Sequence, residues 1–301
     1  MRIRVSVWLV ALISLLVPAI DATSTTSAVS SNVGASSLSL FQKSWQTYKA
    51  VVSADLMEHA SMTKKISEVI HEWIEDRSSK GYLKSDISIA DLGCGDLALL
   101  GPVYKSLSLE LLCGVDMSLA ALELAQIAYQ HSPDIGSENS SSLWINADLL
   151  SWARTVSAVQ GVDGSSDSAG ATDGLGLQKF DIIVCAFSVH HLNDEDKIKF
   201  LEAIVNNRLK EGGMILMADI FRIKDEDRDE YLQRFSSHID VTWNTISATE
   251  KVSIIKHVTE NDFPASLQEF QTSMVPQCGL TGDLVWSDTG DFEKLVVLKR
   301  I

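Results

Sequence analysis

Cysteine is scarce in this 301-residue chain. There are four, Cys94, Cys113, Cys185 and Cys278, and no C-x-x-C pair among them. That scatter speaks against a disulfide framework and against a zinc ligand set, and the four read as small buried residues. Basic residues are few as well. Twenty-five Lys and Arg face 40 Asp and Glu, giving a net charge of −15 and a pI near 4.8. Binding a DNA or RNA backbone needs a cationic face, so nucleic acid is not expected as a partner. Long apolar runs are missing too: the run Val5 to Val17 is shorter than the about 20 residues of a membrane span. The chain is nonetheless 46% hydrophobic, ample for a core in one enlarged domain or two small ones.

The short run has its own meaning. Arg2 and Arg4 precede it, and Pro18-Ala19-Ile20-Asp21-Ala22 follows. This is the layout of a secretory signal with a small-residue cleavage site over residues 1–22, or else an uncleaved anchor. Residues 23–39 are rich in Ser and Thr and read as a flexible spacer, or as the second half of an organelle address. Entry into the secretory pathway is the expectation, with no membrane span after processing. A plastid or similar endomembrane-reached organelle, secretion and membrane anchoring are the open destinations. The folded domain is expected over 40–301.

Its most informative stretch is Ile87-Ser-Ile-Ala-Asp-Leu-Gly-Cys-Gly-Asp96. A short apolar strand ends in two glycines, Gly93 and Gly95, and a helix-like segment over 97–107 follows, which Gly101-Pro102 must bend or restart. Such a layout brings backbone N–H groups close to a polar ligand. Asp116 closes the next apolar run, 21 residues after Gly95, placed to accept from two ribose hydroxyls. Ala98 at the third glycine's position leaves a dinucleotide site formally open. The discriminating residue is Asp91, two before the first glycine. Together with Asp96 it would repel a pyrophosphate.

Asp-Leu-Gly-Cys-Gly resembles motif I of the class I S-adenosylmethionine (SAM) methyltransferases, whose cofactor carries an ammonium and a sulfonium and no phosphate. The resemblance spans about residues 40 to 301 in four ordered blocks. It implies an α/β, Rossmann-like seven-stranded, mostly parallel sheet with helices on both faces and an antiparallel last strand. It assigns Asp91, Gly93, Gly95, Asp116 and Met117 to the cofactor. It also implies that Asp148 accepts from the adenine amine, with Leu149 beside the ring; a helix N-cap is the other reading of Asp148. Tyr48 would fold over the cofactor from an N-terminal lid, or simply pack a helix with Trp45.

The nearly continuous apolar run Phe180 to Ala186 reads as a strand buried on both faces. It empties into Ser188-Val189-His190-His191-Leu192. Small-molecule members of the resembled family carry such a His-His-Leu run beside the acceptor. His190 or His191 is therefore a candidate to deprotonate or orient an acceptor, the alternative being that each packs the loop. Lys210-Glu211-Gly212-Gly213 reads as a helix stop before a strand at 214–220. More helices than usual follow, so residues 220–275 read as an inserted helical cap. Asp219, Arg222, Trp243, His257 and Phe263 are candidates to line a pocket beneath it. The charged run 224–230 reads as a solvated face. Residues 161–177 form a low-complexity insertion, and a hairpin is expected at 284–298. No metal ligand set is apparent. The expected activity is SAM-dependent methyl transfer to a small molecule. The rivals are a non-catalytic protein of the same fold and an NAD(P)-dependent oxidoreductase, against which the missing Tyr-x-x-x-Lys pair also counts.

Overall fold

A computed structural model of the chain describes residues 50–83, 86–130, 141–155 and 178–301. The targeting segment, the spacer, Trp45, Tyr48 and the insertion at 161–177 lie outside the described residues. Seven strands are present: β1 (Ile87–Leu92), β2 (Leu109–Asp116), β3 (Ser141–Asn146), β4 (Phe180–Ala186), β5 (Leu209–Ile220), β6 (Leu280–Ser287) and β7 (Glu293–Arg300). They form one sheet in the order β3-β2-β1-β4-β5-β7-β6. The first five are parallel, and β7 is inserted antiparallel between β5 and β6. Every residue of β1 and β4 is buried. That is why their sequences are mostly apolar and do not alternate: both faces are covered by helices.

One face carries α1 (His59–Ser79), α2 (Gly101–Lys105) and α3 (Leu119–Gln130). Along α1, Met62, Ile66, Val69, Ile70 and Ile74 recur at helical spacing and are buried, each worth about 1.5–3 kcal/mol when fully removed from water. The other face carries α4 (Leu149–Arg154), α5 (Asp194–Asn207) and the helical segment 267–277. The inserted cap consists of α6 (Arg228–Thr242) and α7 (Ala248–Asn261). Among the described residues no helix is long and apolar enough to cross a membrane, and all four cysteines are buried free thiols.

Two local readings need correction and one is decided. The segment after the glycine loop does not run as a bent helix from 97 but restarts at Gly101-Pro102. Leu97 adopts a left-handed φ of 58°, and helix begins only at Gly101, with Pro102 in its first turn, where a missing N–H costs nothing. Gly212-Gly213 does not stop a helix, because α5 ends at Asn207 and the glycines lie inside β5. There the chain bulges: Phe180 pairs with Leu209 but Ile182 with Met214. A Cβ at Gly213 would lie 2.7 Å from the Asp181 carbonyl, so the strand closes on β4 only with glycine there. The charged run 224–230 is not all solvated. Glu226 is buried, paired with Arg234 at 2.6 Å and accepting from the Ile223 N–H. Asp227 then caps α6 in a reciprocal box with Glu230, so the helix starts inside the charged run.

The bulge gives a direct test. Gly213→Ala is expected to lower stability by about 1–3 kcal/mol through overpacking, read as a drop in the urea midpoint at unchanged slope. An unchanged midpoint would mean β5 and β4 are not in contact there.

Candidate active site

The strand order changes direction between β1 and β4, and ligands of open α/β sheets bind outside the carboxyl ends at such a point. The two loops that leave these strands touch. Gly93 has φ 73°, and a Cβ on it would fall 2.6 Å from the Ser188 Cβ. The Ser188 hydroxyl donates to the Leu92 carbonyl at 2.9 Å. The glycine loop also folds back over β2. The N–H groups of Gly93 and Cys94 donate to the Val115 carbonyl at 2.8 and 3.1 Å, and Gly95 donates to Asp116 Oδ2 at 3.0 Å. These three donors therefore face inward, contrary to the expectation that they would meet a ligand. What the loop presents is glycine backbone without side chains.

Two buried carboxyl groups flank it. Asp91 is 1% exposed. Its Oδ2 accepts from the Tyr104 hydroxyl at 3.0 Å, while its Oδ1 is buried without a hydrogen-bond partner. Burial raises its pKa to about 7 from an ordinary 3.8, the Tyr104 bond opposing and the nearby Asp116 adding to the rise. Asp116 is as buried. Its Oδ1 accepts from the Ser118 N–H at 2.7 Å, and burial outweighs that bond and the one from Gly95 to bring its pKa to about 7 as well. The Asn146 amide donates to the carbonyls of Asp116 and Met117 at 3.1 and 2.8 Å, tying the ends of β2 and β3. Met117 itself is 54% exposed at the lip of the crevice. Asp148 takes the capping position of α4 and accepts from the Ser151 N–H at 2.9 Å, and Leu149 is the first helical residue.

On the far side of the loop, a groove of about 670 Å³ runs between α1 and the turn before α2, lined by Val52, His59, Thr63, Ser67, Leu99 and Pro102 among others. His59 closes its inner end. Its ring centroid lies 5.4 Å from that of Phe187, and burial lowers its pKa to about 4. Phe187, directly after β4, has a left-handed φ of 54°, a conformation a bulky residue rarely adopts.

The paired histidines separate in role. His190 is 1% exposed. Its Nδ1 is hydrogen-bonded to Asp219 Oδ1, and its Nε2 lies 3.7 Å from Asp262 Oδ1. Asp219 Oδ2 accepts from the N–H groups of Val189 and His190 at 2.9 and 3.0 Å. Burial would lower the His190 pKa, but the two carboxylates outweigh it and raise it. The side chain of His191 is 20% exposed, with its Nδ1 3.3 Å from Asp262 Oδ1. His257, on the cap, points its Nε2 at the same oxygen from 3.9 Å, and burial lowers its pKa to about 4. Burial would raise the Asp262 pKa, yet the neighbouring imidazoles, His190 first, hold it below its usual value.

The other cap candidates are engaged within the cap. Trp243 is buried in an aromatic cluster with Phe235, and Phe235 packs on Tyr231 and Phe292. Arg222 donates to the Pro264 carbonyl and lies 3.8 Å from Glu269. Phe263 is partly exposed under the Arg228 guanidinium. Sequence reading missed Tyr104 and Asp262. Tyr104 lies 13 residues beyond the carboxylate it holds, and Asp262 is 72 beyond His190. Neither carries a local signal, apart from Asp262 opening the helix-breaking Asp-Phe-Pro.

No protein-family model matches the chain, and no curated protein matches it in sequence. Its fold matches solved structures. The mitomycin 7-O-methyltransferase MmcR superposes with a TM-score of 0.50 at 14% identity, over 89% of this chain and 58% of that one. The plantazolicin methyltransferase BpumL, in complex with a triazolic desmethylPZN analog and SAH, gives 0.51 at 15%, over 84% and 90%. CalO1, a methyltransferase in calicheamicin biosynthesis in its SAH-bound form, gives 0.51 at 14%, over 90% and 59%. The chain thus spans less than two thirds of MmcR and CalO1. At such identities the likeness is one of architecture: the chain has the Rossmann-like methyltransferase fold.

The raised carboxyl groups predict a pH dependence. Between about pH 4 and pH 7 folded Asp91 and Asp116 retain protons that the unfolded chain has released. Their contribution to stability is therefore lost as pH rises through that window. Asp91→Asn removes one of the two. From pH 5 to pH 8 the variant's urea midpoint should rise relative to wild type; parallel curves would show that Asp91 does not titrate there.

Proposed function

We propose that the protein is a SAM-dependent methyltransferase acting on a small-molecule acceptor. The observation that carries this reading is the buried, unpartnered Asp91 Oδ1 beside a glycine loop whose own N–H groups are turned inward. A ligand seated there meets carboxylates and side-chain-free backbone, not donors. That suits an ammonium and disfavours a pyrophosphate. The five-residue α2 starts six residues after Gly95, so no helix N-terminus opens on the loop to bind phosphate either. Both points weigh against NAD(P).

In this reading Asp91 accepts from the cofactor's ammonium. Asp116, fixed by Gly95 and Ser118, uses its remaining lone pairs for the ribose hydroxyls. Asp148 and Leu149 stand beside the adenine, with Met117 covering the outer edge. Tyr48, outside the described residues, is assigned to the lid on the sequence resemblance alone. SAM supplies a methyl group already activated on a sulfonium. The protein's own part is then proximity, alignment and exclusion of water, and a base is needed only where the acceptor is protonated. His190, enclosed between Asp219 and Asp262, is best assigned as a positioning residue. His191, with an exposed face, is the member of the pair that can touch an acceptor. The acidic surface and the lack of Asn-Pro-Pro-Tyr after β4 favour a small molecule over a nucleic-acid base. The secretory-type signal over residues 1–22 belongs to the same proposal and rests on Arg2, Arg4 and the apolar run alone.

Calorimetric titration with SAM, S-adenosylhomocysteine and NAD(P) tests the cofactor. Binding of the first two only is expected, and Asp91→Asn should weaken SAM by about tenfold to a hundredfold, the worth of a hydrogen bond to a charged group. Binding of NAD(P) would overturn the reading. Binding of none would favour a non-catalytic protein of this fold. Once an acceptor is found by screening, His191→Gln should lower turnover more than SAM affinity. Turnover unchanged would remove His191 from the acceptor site.

A further inference from the structure

Asp262 ends the cap helix α7, and its carboxylate is 1% exposed. Three imidazole nitrogens surround one oxygen of it. Nδ1 of His191, Nε2 of His190 and Nε2 of His257 lie 3.3, 3.7 and 3.9 Å from Oδ1. Each spacing exceeds the 2.7–3.2 Å or so of a normal N–H···O bond, and Oδ1 has no hydrogen-bond partner; His191 Nδ1 also lies 3.2 Å from the Asn261 carbonyl, a contact it gives up as a ligand. A buried oxygen ringed by nitrogens just beyond hydrogen-bond range is a poor hydrogen-bond network. It is a good ligand shell. Nitrogen and oxygen ligands about 2.0–2.1 Å from a tetrahedral ion stand roughly 3.3 Å from one another. Donor atoms of His190, His191 and Asp262 all lie within 4.8 Å of each other, and the two imidazole–carboxylate spacings, 3.3 and 3.7 Å, already approach that separation.

The surroundings fit the same reading. A metal-bound histidine characteristically gives its other ring nitrogen to a carboxylate, which fixes the ring. His190 does this through Nδ1 to Asp219, and Asp219 is itself held by two backbone N–H groups. The Nε2 edge is thereby aimed at Asp262. On the cap, Asn261 Nδ2 lies 3.2 Å from His257 Nδ1, leaving Nε2 as the edge turned to the cluster. His191 and His257 are 20% and 12% exposed, which provides a way in, while His190 and Asp262 form a dry floor. The backbone is pinned at the same spot, since the Phe263 N–H donates to the His190 carbonyl at 2.7 Å.

We propose that His190, His191 and Asp262 bind one divalent transition-metal ion of the zinc class, with His257 as the nearest further nitrogen and Asp219 orienting His190 from behind. Imidazole-rich ligands select zinc-like ions over magnesium or calcium, which take oxygen. Two ligands come from the loop after β4 and the carboxylate from the end of the cap, so the ion joins cap to sheet. None of the glycine-loop residues takes part. The ion site therefore shares His190 and His191 with the acceptor side of the proposed function but no residue with the cofactor loop, and ion binding without any SAM or acceptor present is what separates the two.

The test uses the full chain, stripped with a chelator, and Co²⁺ as probe. Expected are one equivalent of Co²⁺ with the visible absorption of nitrogen-ligated tetrahedral cobalt, its displacement by Zn²⁺, and a rise in Tm on adding Zn²⁺. His191→Gln, at a partly exposed position, should weaken Co²⁺ at least tenfold and abolish the Tm rise, as should Asp262→Asn. His71→Gln, on the exposed face of α1, should change neither. Absence of the visible band at one equivalent, or a band of unchanged affinity in His191→Gln, would overturn the proposal. Should Asp262→Asn fail to fold, His191→Gln decides alone.

Discussion

The contact that organises the molecule is the one between the turn after β1 and the turn after β4. Gly93 and Ser188 pack so closely that a methyl group at 93 would overlap the serine side chain at 2.6 Å. Only glycine fits there, in a left-handed conformation, and the N–H groups of Gly93, Cys94 and Gly95 turn back onto Val115 and Asp116. The same contact also sends the chain after β4 through the strained Phe187 into the short 3-10 turn that carries His190 and His191. A crevice with carboxylates on its β1 and β2 side and histidines on its β4 side results from that single close approach.

Buried charge is handled differently at the two edges of the sheet. At the amino edge Asp181 accepts from the Ser88 N–H and hydroxyl at 2.9 and 2.8 Å and from Lys210 at 2.8 Å. It is satisfied, and it fastens β1, β4 and β5 together. At the carboxyl edge Asp91 keeps one oxygen without a partner, and both Asp91 and Asp116 have pKa values near 7. Leaving a buried acceptor unmade costs about 1–3 kcal/mol. Such groups collect where a ligand completes them, which is the physical difference between a stabilising edge and a binding edge.

The cap is anchored, not loose. Its aromatic side chains Tyr231, Phe235 and Trp243 form one cluster reaching Phe292 at the head of β7. Lys197 from α5 donates to the carbonyls of Leu192 and Phe263, and Arg222 reaches Pro264. The apolar payload expected to roof a pocket is spent on holding the cap against the sheet. The polar end of the cap, Asp262 with His257, is what reaches the candidate acceptor side.

The sequence by itself determined the sheet and the glycine loop. Nearly continuous apolar runs mark strands buried on both faces, and Asp91, Gly93, Gly95 and Asp116 stand at spacings that fit a strand, a glycine turn and a second strand. These signals are local, because burial on both faces and a left-handed turn each restrict the residues that occupy them. Tertiary structure alone decided the rest. The inward turn of the loop's N–H groups depends on Val115, and the state of Asp91 depends on Tyr104. The bulge at Gly213 depends on the Asp181 carbonyl across the sheet. The two histidines were visible as a pair, but their different burial follows from Asp219 and Asp262, 29 and 72 residues beyond His190. Contacts at such separations are set by how the cap packs on the sheet, and no periodicity in the chain encodes them.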